Sequence, residues 1–164
     1  MSHTLIVMRH AKSSWSTNDP DHERPLAARG LRDAAVAGAI LADYSIGAVL
    51  SSSSTRTRET WRTAELGGAT AGQVTFTDAL YGAWEDSVVD LLRELDETVG
   101  TAMVLGHEPT MSSLIELLAE PSDLTDEAVR HYPTSALAVL ELDCRWADLG
   151  AGRGRLVRFE IPRG

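Results

Sequence analysis

Short apolar runs alternate with helix-patterned stretches along this chain, and that alternation points to an α/β sandwich with mostly parallel strands. Leu5-Ile6-Val7-Met8 reads as the first strand. A polar loop from Ser13 to Arg29 leads to an alanine-rich helix from Gly30, whose Leu31, Ala34, Ala35, Gly38 and Leu41 share one face. Ala48-Val49-Leu50 is a second strand, and Ser51 to Ser54 form a turn with good capping chemistry before a helix from about Thr55 to Glu65. Val74-Thr75-Phe76 is a short third strand, Val88, Leu91, Leu92 and Leu95 mark a helix, and Ala102 to Leu105 is the next strand. After Pro109 a further helix carries Leu114, Leu117 and Leu118. Ala136 to Leu142 and Leu156 to Ile161 alternate like antiparallel strands, joined by a turn at Gly150, Gly152 and Gly154. The expected fold is a three-layer α/β/α sandwich on a mixed, mostly parallel sheet.

The chain has 164 residues, a length that fits one domain and leaves no room for a second. A net charge of −9 argues against a nucleic-acid-binding face, which needs dense positive charge. Any anion site must therefore be local. No apolar run approaches the roughly 18 residues of a membrane span, and the amino terminus lacks the pattern of a signal peptide. A single cysteine, Cys144, cannot form an internal disulfide. A reduced cytoplasmic monomer with no membrane association is the expectation.

In open α/β sheets, ligands collect where loops leave the carboxyl ends of the strands. Arg9-His10 follows the first strand, Arg56 lies just beyond the serine turn after the second, and His107 closes the strand that ends at Leu105. Each of these is ordinary by itself. Together they specify two guanidinium forks that match phosphoryl oxygens and an imidazole that can attack phosphorus, giving a phosphohistidine intermediate that water later hydrolyses. For this His10 must be neutral, with its other ring nitrogen tied to an acceptor such as a main-chain carbonyl. His107 would give the phosphoryl oxygens positive or hydrogen-bonding character.

These residues resemble the histidine phosphatase superfamily, whose signature Arg-His-Gly reads here Arg9-His10-Ala11, and more closely its SixA-type phosphohistidine phosphatase branch. Asp21-His22-Glu23-Arg24-Pro25-Leu26, Ser51 through Arg56 with Glu59-Thr60, Leu80-Tyr81-Gly82, Gly106-His107-Glu108-Pro109 and Tyr132-Pro133-Thr134-Ser135 extend the resemblance over nearly the whole chain. It implies a phosphoglycerate mutase-like fold over residues 1–164 and a metal-independent, cofactor-free phosphatase. His10 would be the nucleophile, with Arg9, Arg56 and His107 forming the phosphate pocket.

Two positions depart from the family pattern. The glutamate general acid in Glu-x-x-x-Gly is met by Asp78, four residues before Gly82, with Glu85 and Asp86 as alternatives that also fit helix capping. An imidazole leaves P–N more readily than an alkoxide leaves P–O, so the demand for a strong acid falls. The usual proline of the Ser-Ser-Pro element is Ser53, which predicts a looser loop before Arg56. Lys12, Ser13 and Ser14 either border the phosphate or are solvated. Trp15, Trp61 and Trp84 read as packing residues before cleft residues, and Arg24 as a loop or substrate contact.

Cys144 lacks the arginine of a cysteine-phosphatase loop, Gly-Lys never occurs, and His107-Glu108 has no histidine at 111, which sets aside P-loop and zincin chemistry. The short insert after the helix ending near Glu65 offers little cap, so the pocket is expected to be open enough for phosphohistidine on another protein. Sugar phosphates or nucleotides, and a non-catalytic phosphate-binding module, are the rival readings.

Overall fold

The computed structural model describes residues 2–164. In chain order the elements are β1 (His3–Arg9), α1 (Ala28–Leu41), β2 (Ile46–Ser52), α2 (Thr55–Leu66), β3 (Ala71–Thr77), α3 (Glu85–Arg93), β4 (Thr101–Gly106), α4 (Thr110–Leu118), α5 (Asp123–Arg130), β5 (Leu137–Leu142) and β6 (Gly154–Glu160). One six-stranded sheet has the order β3-β2-β4-β1-β5-β6. β3, β2, β4 and β1 run parallel, and β5 and β6 join antiparallel, so the sheet is mixed as expected.

The apolar runs are continuous because both faces of the central strands are covered. Successive side chains point to opposite faces. Leu5 and Val7 of β1, with Ala102 and Val104 of β4, enter one core with Val88, Leu92, Leu114 and Leu118 of α3 and α4. Ile6, Met8, Met103 and Leu105 enter the other with Ala37 and Leu41 of α1 and Trp61 and Ala64 of α2. Two helical layers on one sheet follow from that alternation.

Several boundaries and faces differ from the reading of the sequence. The Asp123–Arg130 helix is absent from the sequence reading because it is only eight residues long and brings just Leu124, Ala128 and Val129 to the core, too few to stand out as a helical stripe. Its signal is instead the Ser122 cap, which accepts from the Thr125 amide. Leu95 lies beyond α3, and Gly154 belongs to β6 rather than to the turn. Leu31 is 43% exposed, so it does not share the buried face of α1.

Close backbone approach explains that rotation of α1. A Cβ on Gly30 would lie 2.1 Å from the Lys12 carbonyl oxygen, and one on Gly38 would lie 2.1 Å from the Ala64 carbonyl oxygen. Gly30, Ala34, Ala37, Gly38 and Leu41 face inward, with no room for a Cβ at either glycine, and Leu31 turns outward. Gly38→Ala is expected to force α1 and α2 apart and lower the unfolding free energy by about 1–3 kcal/mol, the usual cost of overpacking, as measured by denaturant titration.

Candidate active site

Arg9 of β1 pairs with Gly106 of β4, and Ser51 of β2 pairs with Leu105 of the same strand. Three parallel strands thus end side by side. The ladder continues one residue past the strand ends: the His10 amide donates to the Gly106 carbonyl and the Ser135 amide donates to the His10 carbonyl, both at 3.0 Å. The backbone of His10 is pinned from both sides. Ser135 is fully buried with a φ of +66°, a conformation rare for a residue other than glycine.

The His10 ring is oriented by its own loop. Its Nδ1 lies 2.7 Å from the Ala11 carbonyl oxygen, which can only accept, so Nδ1 carries the proton and Nε2 the lone pair. The Ala11 amide donates to Thr60 Oγ1 at 3.0 Å, and Thr60 Oγ1 donates to the Arg56 carbonyl at 2.7 Å. Glu59 accepts from the Leu26 amide at 2.8 Å. Glu59-Thr60 thereby ties the loop of the first histidine to the helix that carries Arg56.

Burial is the main cause that lowers the His10 pKa to about 3, with His107, Arg56 and Arg9 adding repulsion against the Ala11 hydrogen bond. Burial also lowers His107 to about 4, assisted first by Arg56. Both imidazoles are neutral at pH 7. Their centroids are 5.3 Å apart, and His107 Nε2 lies 2.8 Å from Ser52 Oγ.

Arg9, His10, Arg56 and His107 line one cleft of about 230 Å³, whose walls include Lys12, Ser13, Trp15, Arg24 and Thr134. A larger cleft of about 440 Å³ beside Glu120, Glu141 and Arg155 has no histidine in its walls. Arg9 Nε, Arg24 Nε, Arg56 Nε and His107 Nδ1 are buried with no hydrogen-bond partner among the described residues. Buried polar atoms are nearly always paired, so four unpaired ones on residues of one cleft suit an oxyanion with several acceptor oxygens. In a chain of net charge −9 this is the local cation cluster the sequence demanded. Among the described residues, no group of three or more His, Cys, Asp or Glu is placed to hold a metal ion.

The acids lie elsewhere. Asp78 has a side chain 91% exposed, accepts a hydrogen bond from Ser53 Oγ and lies 3.8 Å from His22 Nε2. Glu85 and Asp86 occupy the first turn of α3, where carboxylates complement the helix dipole. None of the three lines the cleft. Glu108 does, but both its oxygens accept from Ser112 in the first turns of α4. Ser53 does not loosen its loop: its amide donates to the Thr77 carbonyl and its hydroxyl contacts His22 and Asp78. Trp61 packs in the core as read from the sequence, whereas Trp15 and Trp84 are 74% and 67% exposed and do not.

Asp21 is the functional neighbour that sequence reasoning passed over. Its carbonyl and Oδ2 accept from Arg56 Nη1 and Nη2 at 2.7 and 3.1 Å, its Oδ1 from Arg24 at 3.2 Å, and its Oδ2 from the Tyr81 hydroxyl at 2.5 Å. The Tyr81 hydrogen bond, followed by those of Arg24 and Arg56, holds its carboxyl well below the usual range. The signal lies in the segment Asp21 to Leu26, whose first residue is an acid in the part of the polar loop that resembles the family. Arg24 stacks on Trp15 at 3.8 Å and donates to Ser13.

Residues 5–142 match the histidine phosphatase superfamily, branch 1. The chain belongs to that superfamily, and it is a phosphatase. An uncharacterized protein of Mycobacterium tuberculosis is 39% identical over 163 residues, covering 95% of this chain and all of that protein. A solved candidate phosphohistidine phosphatase SixA from Nakamurella multipartitia has a TM-score of 0.88 and 31% identity, covering 99% of this chain and 97% of the other. A protein histidine phosphatase SixA complexed with tungstate shares the fold at a TM-score of 0.80 and 21% identity, covering 97% of each chain.

Two outcomes are expected. A histidine whose folded pKa is depressed binds fewer protons than in the unfolded chain, so its stability contribution is present above the unfolded pKa of about 6.5 and lost as pH falls below it. His10→Asn should therefore flatten the fall in unfolding free energy between pH 6.5 and pH 5 by about 2 kcal/mol, read by denaturant titration across that range. Asp21→Asn removes a negative charge from Arg56 and Arg24 while keeping an acceptor of the same shape. Calorimetry should show inorganic phosphate binding roughly 2–5-fold tighter, the scale of a partly exposed ion pair.

Proposed function

We propose that this phosphatase acts on phosphohistidine in another protein, in the manner of the SixA-type branch, through a phosphohistidine formed on His10. The observation that carries the reading is the tautomer of His10: Nδ1–H is committed to the Ala11 carbonyl, and a pKa near 3 leaves Nε2 unprotonated at neutral pH. Nε2 attacks phosphorus, the bond to the leaving nitrogen breaks, and that nitrogen takes a proton from water. The phosphorylated ring becomes cationic, which strengthens its Nδ1–H bond to Ala11. Water then attacks phosphorus, the P–Nε2 bond breaks and inorganic phosphate leaves.

Arg9, Arg56 and His107 hold the three equatorial oxygens, and Arg24 joins them from the Trp15 side. Fixed donors in a partly buried pocket stabilise developing charge without having to reorganise. Asp78, Glu85 and Asp86 stand outside the cleft, and the Glu108 oxygens are engaged. That favours a leaving group needing little protonation, and an imidazole qualifies where an alkoxide does not. Asp78 remains the proposed acid for any ester the pocket admits.

The cleft of about 230 Å³ is smaller than the roughly 300–1,000 Å³ typical of small-molecule sites. It accepts a phosphoryl group and leaves the rest of the substrate outside. Only residues 67–70 separate α2 from β3, so no cap arises there. The single cysteine, buried and unpaired, is compatible with a cytoplasmic setting for such a protein partner.

Incubation with a labelled phosphoryl donor, quenched in base, should leave acid-labile label on His10 and none in His10→Ala. Label that persists in His10→Ala, or its absence from the wild-type protein, removes the mechanism. Phosphohistidine should also turn over faster than sugar phosphates and nucleotides. A reversed order would make the enzyme a phosphomonoesterase.

A further inference from the structure

We propose that a second cleft, contiguous with the phosphate pocket and walled by Trp84, receives an apolar side chain next to the phosphorylated histidine of the protein substrate. This rests on the phosphohistidine reading above and extends it to what surrounds the phosphorylated residue. The cleft has a volume of about 190 Å³ and is lined by Leu80, Ala83, Trp84 and Pro109. Taking a water molecule as about 30 Å³, that is room for one large aliphatic or aromatic side chain.

Two residues, His107 and Glu108, line this cleft and the phosphate pocket alike, so the two cavities meet at the phosphate-binding histidine. A group bound beside Trp84 therefore belongs to the same substrate as the phosphoryl group. The cleft is held in shape by its neighbours. Thr110 Oγ1 donates to the Ala83 carbonyl at 2.6 Å, tying the loop before α3 to the start of α4, and Leu80 anchors the same loop in the core at 4% exposure. Gly82, at a φ of +81°, has no atom within 4 Å of where a Cβ would stand, which keeps the entrance open.

The exposed aromatic rings point the same way. Trp61 and Trp146 are buried in the core, whereas Trp15 lines the phosphate pocket and Trp84 lines the second cleft. A single exposed aromatic residue is unremarkable. Two exposed tryptophans, one in the wall of the arginine-lined pocket and one in the wall of the cleft that meets it at His107 and Glu108, match the composition of a protein-binding surface, where tryptophan and arginine supply most of the binding energy. The chemistry of the walls selects the occupant. Carbon surfaces beside Trp84 cannot satisfy the hydroxyls of a sugar or nucleotide, which would lose their water on entry, but they gain from burying an apolar side chain.

The test uses two short peptides, each carrying one histidine phosphorylated with phosphoramidate and flanked on both sides by leucine in one and by serine in the other. The wild-type enzyme should show a kcat/KM about tenfold higher for the leucine peptide, carried mainly by KM, as burial of one such side chain predicts. Trp84→Ala should erase the preference while leaving turnover of the serine peptide and of free phosphohistidine unchanged, and Trp84→Phe should restore most of it. Trp84 is exposed and makes no side-chain cap on α3, so the variant is expected to fold. Equal turnover of both peptides by the wild-type enzyme, or a preference that survives in Trp84→Ala, overturns the inference while leaving phosphohistidine chemistry intact. Failure to hydrolyse either peptide or free phosphohistidine overturns the phosphohistidine reading and this inference with it.

Discussion

The parallel pairing of β2, β4 and β1 is the constraint on which the site depends. Parallel strands release their loops at one edge of the sheet, and the register of Arg9 with Gly106 brings His10 beside His107 without any long side chain having to reach. The hydrogen bonds from the His10 amide to Gly106 and from the Ser135 amide to the His10 carbonyl extend the ladder beyond the strands. Rigid sheet geometry is thereby passed to a loop residue. The antiparallel strand β5 sustains this from the other side, since only Ala136 separates Ser135 from it.

Electrostatics then sets the state of the pocket. Burial among guanidinium groups makes protonation of either imidazole costly, so both stay neutral where an exposed histidine would be partly charged. The same guanidinium groups need a counter-ion, and Asp21 supplies it from a loop that is itself half in solvent. An acidic protein thus carries one small region that attracts oxyanions, with a carboxylate at its margin that a phosphoryl group must outcompete at Arg56.

Particular residues show how far the sequence could be read. His10, Arg9, Arg56 and His107 were legible because each follows an apolar run or a capped turn, and the consequence of strand ends for ligand sites is general. Asp21 was not, because nothing in a polar loop announces that its carboxylate folds back onto a helix more than thirty residues away. Leu31 misled because helical periodicity locates an apolar stripe without saying which of its edges meets a neighbour. Backbone contact at Gly30 and Gly38 decided that. Trp15 and Trp84 misled for a related reason, since large aromatic residues are usually core and only their neighbours reveal otherwise.

By itself the sequence determined the layered α/β architecture, the identity of the residues at the strand ends and the phosphoryl chemistry they suit, because these follow from local patterning and side-chain type. Only the tertiary structure decided the tautomer of His10, the depression of both histidine pKa values, the pairing of Arg56 with Asp21 and the meeting of two clefts at His107. Each of those depends on distances and burial between groups far apart in the chain. Coulombic and desolvation energies vary with such distances and surroundings, and local sequence does not encode them.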